Sequence, residues 1–142
     1  MNIVDELVSL YRQEKWHKIR MSNREASIYY QDLLERGRIL YIPQGDEILG
    51  YVYFSKINLT QLGYLVLADT ISPDIYDENG TILYVSSLFV VPKYRHLGIT
   101  RKLRKLLIEK NPDCDFLTGE TQGKHRKSWA VYKLKKEGAI HG

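Results

Sequence analysis

The chain has 142 residues, 44% hydrophobic and 27% charged, a balance that suits one globular domain spanning residues 1–142 and excludes a disordered one. Its single cysteine, Cys114, excludes an internal disulfide and cysteine-rich zinc sites, and its four histidines, His17, His96, His125 and His141, show no paired ligand spacing, so no metal site is expected. The net charge of +4 suits phosphorylated ligands, nucleic acid or acidic partners without choosing among them; with no apolar run of about 20 residues and an acidic start, the expected location is the cytoplasm, away from any membrane.

Two helices are predicted to open the chain. In NIVDELVSLYRQ the residues Ile3, Leu7, Leu10 and Tyr11 recur at helical spacing. In SNREASIYYQDLLERG, Ser22 and Glu25 form a capping box, Ala26, Tyr29, Tyr30, Leu33 and Leu34 make an apolar stripe, and Gly37 closes the end. RILYIP and EILGYVYF, rich in β-branched and aromatic residues on either side of QGD, predict a hairpin. LGYLVLAD, after a turn between Asn58 and Gly63, is expected to be a third strand, and SPDIYDENG a loop by composition. There follow a long strand in TILYVSSLFVV, a helix in GITRKLRKLLIEKN stopped by Asn111-Pro112, a strand in DFLTGE and a helix in HRKSWAVYKLKKEG. The expected class is a mixed α/β domain: two N-terminal helices, a mostly antiparallel sheet and a β-α-β-α half.

The stretch VVPKYRHLGIT joins the long strand to a basic amphipathic helix in which Ile99, Leu103, Leu106 and Leu107 form the apolar stripe. At such a helix start up to four backbone N–H groups lack helical partners and the helix dipole favours negative charge, which makes a preformed anion site. Gly98, without a Cβ, lets the backbone turn tightly and a phosphate approach its amide. Lys93, Arg95, Arg101, Lys102, Arg104, Lys105 and Lys110 face only one acid in this segment, Glu109.

The residues SLFVVPKYRHLGITRKL resemble the acyl-CoA-binding signature of the GNAT family of N-acetyltransferases, an apolar strand ending near a proline and followed by R/Q-x-x-G-x-G/A. Leu88, Val90 and Pro92 match the strand, and Arg95, Gly98 and Thr100 take the three loop positions; the resemblance covers residues 81–138, and the preceding chain follows it in element order. It implies a GNAT-like fold and an enzyme that transfers an acyl group, in the first place acetyl from acetyl-CoA, to a primary amine by direct attack. The cofactor-binding residues it implies are Leu88, Phe89, Val90 and Val91, whose backbone would pair with the pantetheine arm, and Arg95, His96, Leu97, Gly98, Ile99, Thr100 and Arg101 around the pyrophosphate. Lys93, Arg101, Lys102 and Lys105 would reach the outer phosphates, and a backbone N–H near Val90 or Val91 would hold the oxyanion.

The catalytic pattern departs from the family. Ser86 stands where the family often has Glu on the strand, and Glu120, at the end of the next strand, is the nearest acid and the candidate base. The family's usual general acid is a Tyr four residues before a glycine in the last helix; counting back from Gly138 gives Leu134, with Tyr132 two residues earlier as the candidate. Thr100 replaces Gly or Ala, and little sequence follows Gly138, so the resemblance is to a divergent or minimal member. The acceptor, small molecule or protein, stays open. The alternative is a catalytically degenerate GNAT-fold binding module that recognises nucleic acid or an acidic partner through the basic segments KYRHLGITRKLRK and GKHRKSWAVYKLKK, with Trp129 stacking on a base. A third option is assembly, a homodimer pairing exposed strand edges.

Overall fold

The computed structural model describes residues 2–13, 21–68, 76–122 and 127–134. Helix α1 (Ile3–Gln13) buries Leu7, Val8, Leu10 and Tyr11, and helix α2 (Asn23–Glu35) buries Ala26, Tyr30 and Leu33, the faces their periodicity predicts. Ser22 caps α2: its hydroxyl accepts from the Glu25 amide at 3.2 Å while Glu25 Oε1 accepts from the Ser22 amide at 3.1 Å. At the other end the Arg38 amide donates to Leu33 O (2.8 Å) and the Gly37 amide to Leu34 O (3.1 Å), a Schellman closure. Strands β1 (Ile39–Gln44) and β2 (Glu47–Ile57) form the predicted hairpin, antiparallel from Ile39 opposite Tyr53 to Gln44 opposite Glu47.

Helix α3 (Leu59–Ala68), strand β3 (Ile82–Val90), a single 3₁₀ turn (Pro92–Tyr94), helix α4 (Ile99–Lys110), and strands β4 (Phe116–Gln122) and β5 (Lys127–Lys133) complete the described elements. The five strands make one mixed, mostly antiparallel sheet in the order β1-β2-β3-β4-β5. β3 and β4 are its parallel pair, and β4 and β5 run antiparallel. Among the described residues no helix is long and apolar enough to cross a membrane.

Two expectations fail, each for a physical reason. Residues 62–69 were expected to be a strand, yet Leu59–Ala68 is helix α3. Asn58 and Gln61 form a second capping box: the Gln61 amide donates to Asn58 Oδ1 and the Asn58 amide to Gln61 Oε1, both at 2.9 Å. An apolar run reads as strand or helix by periodicity alone, and the cap decides it. Residues 125–138 were expected to be a helix; Lys127–Lys133 is instead strand β5, paired with β4 from Gln122 opposite Lys127 to Phe116 opposite Lys133. The ladder to β4 and the β-favouring Trp129, Val131 and Tyr132 outweigh the helix propensity of the lysines and alanine around them. The β-α-β-α half is therefore β-α-β-β as far as residue 133; the described part of the second basic segment, Lys127–Lys133, is strand. Gly138 lies outside the described residues.

The contacts divide the chain into two compact units, Met1–Tyr53 with Leu88–Arg104 and Phe54–Ser87 with Lys105–Gly142. The first has an aromatic core: Tyr30 meets Tyr11, Tyr29, Tyr51 and Tyr53 edge-on, with ring centroids 5.6 to 6.4 Å apart. Phe89 packs on Tyr51 at 5.9 Å, which ties the end of β3 into this core. In the second unit Ile57, Leu65 and Ile82 form a small apolar cluster, Cys114 is buried, and Lys56 Nζ lies 2.7 Å from Asp113 Oδ2. The Asp113 hydrogen bond raises the Lys56 ammonium above its ordinary pKa, partly opposed by burial.

Candidate cofactor site

The first unit builds the site where β3 ends. β2 approaches β3 closely because residue 50 is glycine: a Cβ there would sit 2.8 Å from Phe89 O and 3.1 Å from Ile99 Cγ2. Val91 donates its N–H to Leu49 O at 2.9 Å. Because neighbouring strand residues direct their N–H groups to opposite edges, Val90 turns its own N–H and carbonyl away from β2. Arg95 Nε donates to that Val90 carbonyl at 3.3 Å. Pro92 ends the strand, and the Tyr94 amide to Val91 O (2.9 Å) and the Arg95 amide to Pro92 O (3.2 Å) close the tight turn.

His96 (φ 74°) and Gly98 (φ 78°) then both take left-handed backbone. For His96 this carries strain; for Gly98 it is free, and no atom lies within 4 Å of where a Cβ would point. Lys102 donates its amide to Gly98 O at 3.1 Å, so Gly98 is the helix N-cap and Ile99, Thr100 and Arg101 are the first turn, whose amides have no acceptor inside α4.

Over these amides opens a cavity of about 480 Å³. Val90 and Ile99 line it with apolar surface, Arg95, His96, Arg101 and Arg104 line it with polar groups, and among the described residues no carboxylate lines it. The geometry suits an anion with an apolar extension. Of the expected cofactor residues, Val90, Arg95, His96, Gly98, Ile99, Thr100 and Arg101 come together here. Leu88 lies on β3 and is partly exposed; Phe89 packs into the core with its carbonyl toward Gly50 of β2; Val91 spends its N–H on Leu49; and Leu97 is exposed outside the cavity lining.

The lysines divide differently from expectation. Lys93 turns to Glu47, 3.5 Å from Oε1, and lies 5.0 Å over the Tyr94 ring, while Lys105 pairs with Glu109 at 3.9 Å. Tyr94 donates its hydroxyl to Glu47 Oε2, and this bond, then the Lys93 charge, holds the Glu47 carboxyl below its ordinary pKa. Glu47 thus pins the turn to the start of β2, a link across 47 residues of sequence that no local pattern announces. Arg104 was also missed; its signal is its position three residues after Arg101, one face of one helix.

The two candidate catalytic residues belong to the second unit. Tyr132 lies on β5 opposite Leu117 and is 53% exposed; it is on a strand, so the helical register that placed it two residues from the family's position does not apply. Glu120 lies on β4 opposite Trp129. The parallel ladder of β3 and β4 runs only from Ile82–Phe116 to Val85–Gly119, although β3 continues to Val90. Among the described residues no His, Cys, Asp and Glu side chains group to hold a metal ion.

A mixed sheet whose strand β3 feeds a glycine-capped helix defines a mixed α/β protein with an anion-favouring helix start. The chain belongs to the acetyltransferase (GNAT) family, whose sequence profile matches residues 2–135. No curated protein matches its sequence. Its fold is similar to that of GphF, a GNAT-like decarboxylase solved in complex with isobutyryl-CoA (19% identity, TM-score 0.63, 86% of this chain and 63% of that one). It is also similar to an N-acetyltransferase from Staphylococcus aureus Mu50 (13%, 0.59, 87% and 70%) and to AAC(6')-Iy in complex with a bisubstrate analog (13%, 0.59, 86% and 75%). At these identities the likeness is one of fold, and the chain spans about three fifths of the length of the first.

Proposed function

We propose that this chain is one acyltransferase domain that moves an acyl group, acetyl in the first place, from acyl-CoA to a primary amine. The observation that carries this is the cavity over the first turn of α4, where unpaired amides, three arginines and a glycine N-cap meet at the end of β3. Membership of the GNAT family supports it, as do similar folds solved with isobutyryl-CoA and with a bisubstrate analog. In this reading the amides of Ile99, Thr100 and Arg101 hold the pyrophosphate, and the pantetheine arm pairs with β3 from Leu88 to Val90 along the edge that Val90 turns away from β2. The reaction belongs in the cytoplasm.

The amine attacks the thioester carbonyl directly. Of the two amides considered for the oxyanion, Val91 is engaged by Leu49, which leaves Val90. An amine of pKa about 10.4 is mostly protonated at pH 7, so its neutral form costs about 4–5 kcal/mol, and a base is useful. Glu120 is the residue we assign to that proton, and Tyr132 the one we assign to the departing thiolate. A thiol of pKa about 8.5 leaves adequately without an acid, so the Tyr132 contribution is small. The test is release of CoA thiol from acetyl-CoA in the presence of a panel of primary amines. Amine-dependent release that Gly98→Glu removes supports the reading; release without amine dependence, or none with any acyl-CoA, contradicts it.

A further inference from the structure

We propose that the outer face of α3 binds a second copy of this chain, α3 against α3 in antiparallel sense about Gly63. The inference is independent of the acyl-CoA reading.

Helix α3 is apolar on two sides. Leu62 and Leu65 face inward, and Leu65 is fully buried with Ile57 and Ile82. On the other side Leu59, Gly63, Leu67, Thr60 and Tyr64 span an arc of about 140° at 100° per residue. This side faces solvent: Leu59 is 76%, Tyr64 64% and Leu67 86% exposed. The segment LTQLGYLVLA carries no charged residue. A helix that is hydrophobic all round belongs in an interior, and one chain covers only one side of this one. Nor is α3 needed to close the sheet. β2 and β3 are neighbours whose Ile57 and Ile82 share one apolar cluster, so a short turn would join them.

Symmetry, charge and area select a copy of the chain as the occupant. Leu59, Gly63 and Leu67 form one ridge at i, i+4 and i+8 that reads the same in both directions. A two-fold axis at Gly63 therefore sets Leu59 of one copy on Leu67 of the other, twice. No atom lies within 4 Å of where a Gly63 Cβ would stand, so two backbones can approach closely there. A chain of net charge +4 repels its copies, and an uncharged face lets them meet without opposing like charges. An anionic membrane would call for Lys or Arg beside the apolar face, and α3 has none. At their exposures Leu59, Tyr64 and Leu67 present on the order of 450 Å², more than half of the ~800 Å² that each partner gives a standard interface, which fits a reversible pair.

Sedimentation velocity of the full chain, from micromolar to millimolar concentration, tests this. The wild type is expected to form a reversible dimer. Leu67→Lys is expected to raise its dissociation constant about tenfold or more, and Ile28→Lys, the same change at a residue 63% exposed on α2, to leave it unchanged. Gly63→Leu makes the face more apolar yet holds the two helices apart, so it is expected to weaken the dimer without clashing inside its own chain. Both positions are exposed, so the variants keep the fold, which their melting temperatures check. A wild type that stays monomeric at millimolar concentration, a dimer that Leu67→Lys leaves intact, or association that Gly63→Leu strengthens, the mark of unspecific adhesion, overturns the inference. A monomer that co-sediments with phosphatidylcholine–phosphatidylserine vesicles overturns it too and assigns the face to a membrane.

Discussion

The turn between β3 and α4 and the α3 and β5 segments are all short, yet one declares its structure locally and the others do not. In the turn, proline, glycine and a basic amphipathic run each dictate backbone at their own position, and Pro92, the left-handed Gly98 and the helix from Ile99 all follow. In α3 the decision rests on two polar side chains that precede the apolar run, and in β5 on a partner strand. The proposed binding site in this chain sits where structure is locally determined.

Substitutions sharpen that contrast. The largest effect is expected at Gly98→Glu, which puts a carboxylate among three arginines and forces φ 78° on a side chain. Strain of about 1–2 kcal/mol lowers stability modestly, while acetyl-CoA binding falls below detection by calorimetry; retained binding would mean that the cavity is not the cofactor site. Gly50→Val comes next. Its Cβ meets backbone at 2.8 Å, so a loss of about 1–3 kcal/mol is expected in denaturant unfolding, with weaker cofactor binding as β3 shifts.

Asn58→Ala removes the α3 cap and the hydrogen bond to Asp77 Oδ2 at 2.9 Å. About 1 kcal/mol of destabilisation is expected, read as a melting temperature lower by roughly 3–6 °C, with acetyl-CoA affinity unchanged. Equal loss of binding would show that the two regions are not separable. The smallest effect concerns Lys56, whose side chain is 11% exposed and whose pKa folding raises above 10.5. Its contribution is complete at neutral pH and is lost as pH rises through the folded value, so the stability gap between wild type and Lys56→Gln, about 1 kcal/mol at pH 7, should close in alkaline titration. A gap that is constant through that range would contradict the ion pair's part.

Much of the fold was legible: α1, α2 with its Ser22–Glu25 box, the β1–β2 hairpin, β3, α4 and β4 follow from periodicity and turn chemistry. The geometry of the candidate site was legible in its backbone members, because Gly98 and the helix start are properties of consecutive residues. What escaped was nonlocal. Glu47 meets Tyr94 only after β2 and β3 pair, Arg104 joins Arg95 only when the turn folds beside α4, and Tyr132 changed from a helical to a strand position when β5 found β4. Periodicity cannot report a partner distant in sequence.

The account stands most directly on titration of acetyl-CoA into the wild-type chain at neutral pH. It predicts saturable binding of one cofactor per chain, weakened as salt screens the arginines. An absence of heat and of any melting-temperature shift at millimolar acetyl-CoA would contradict it.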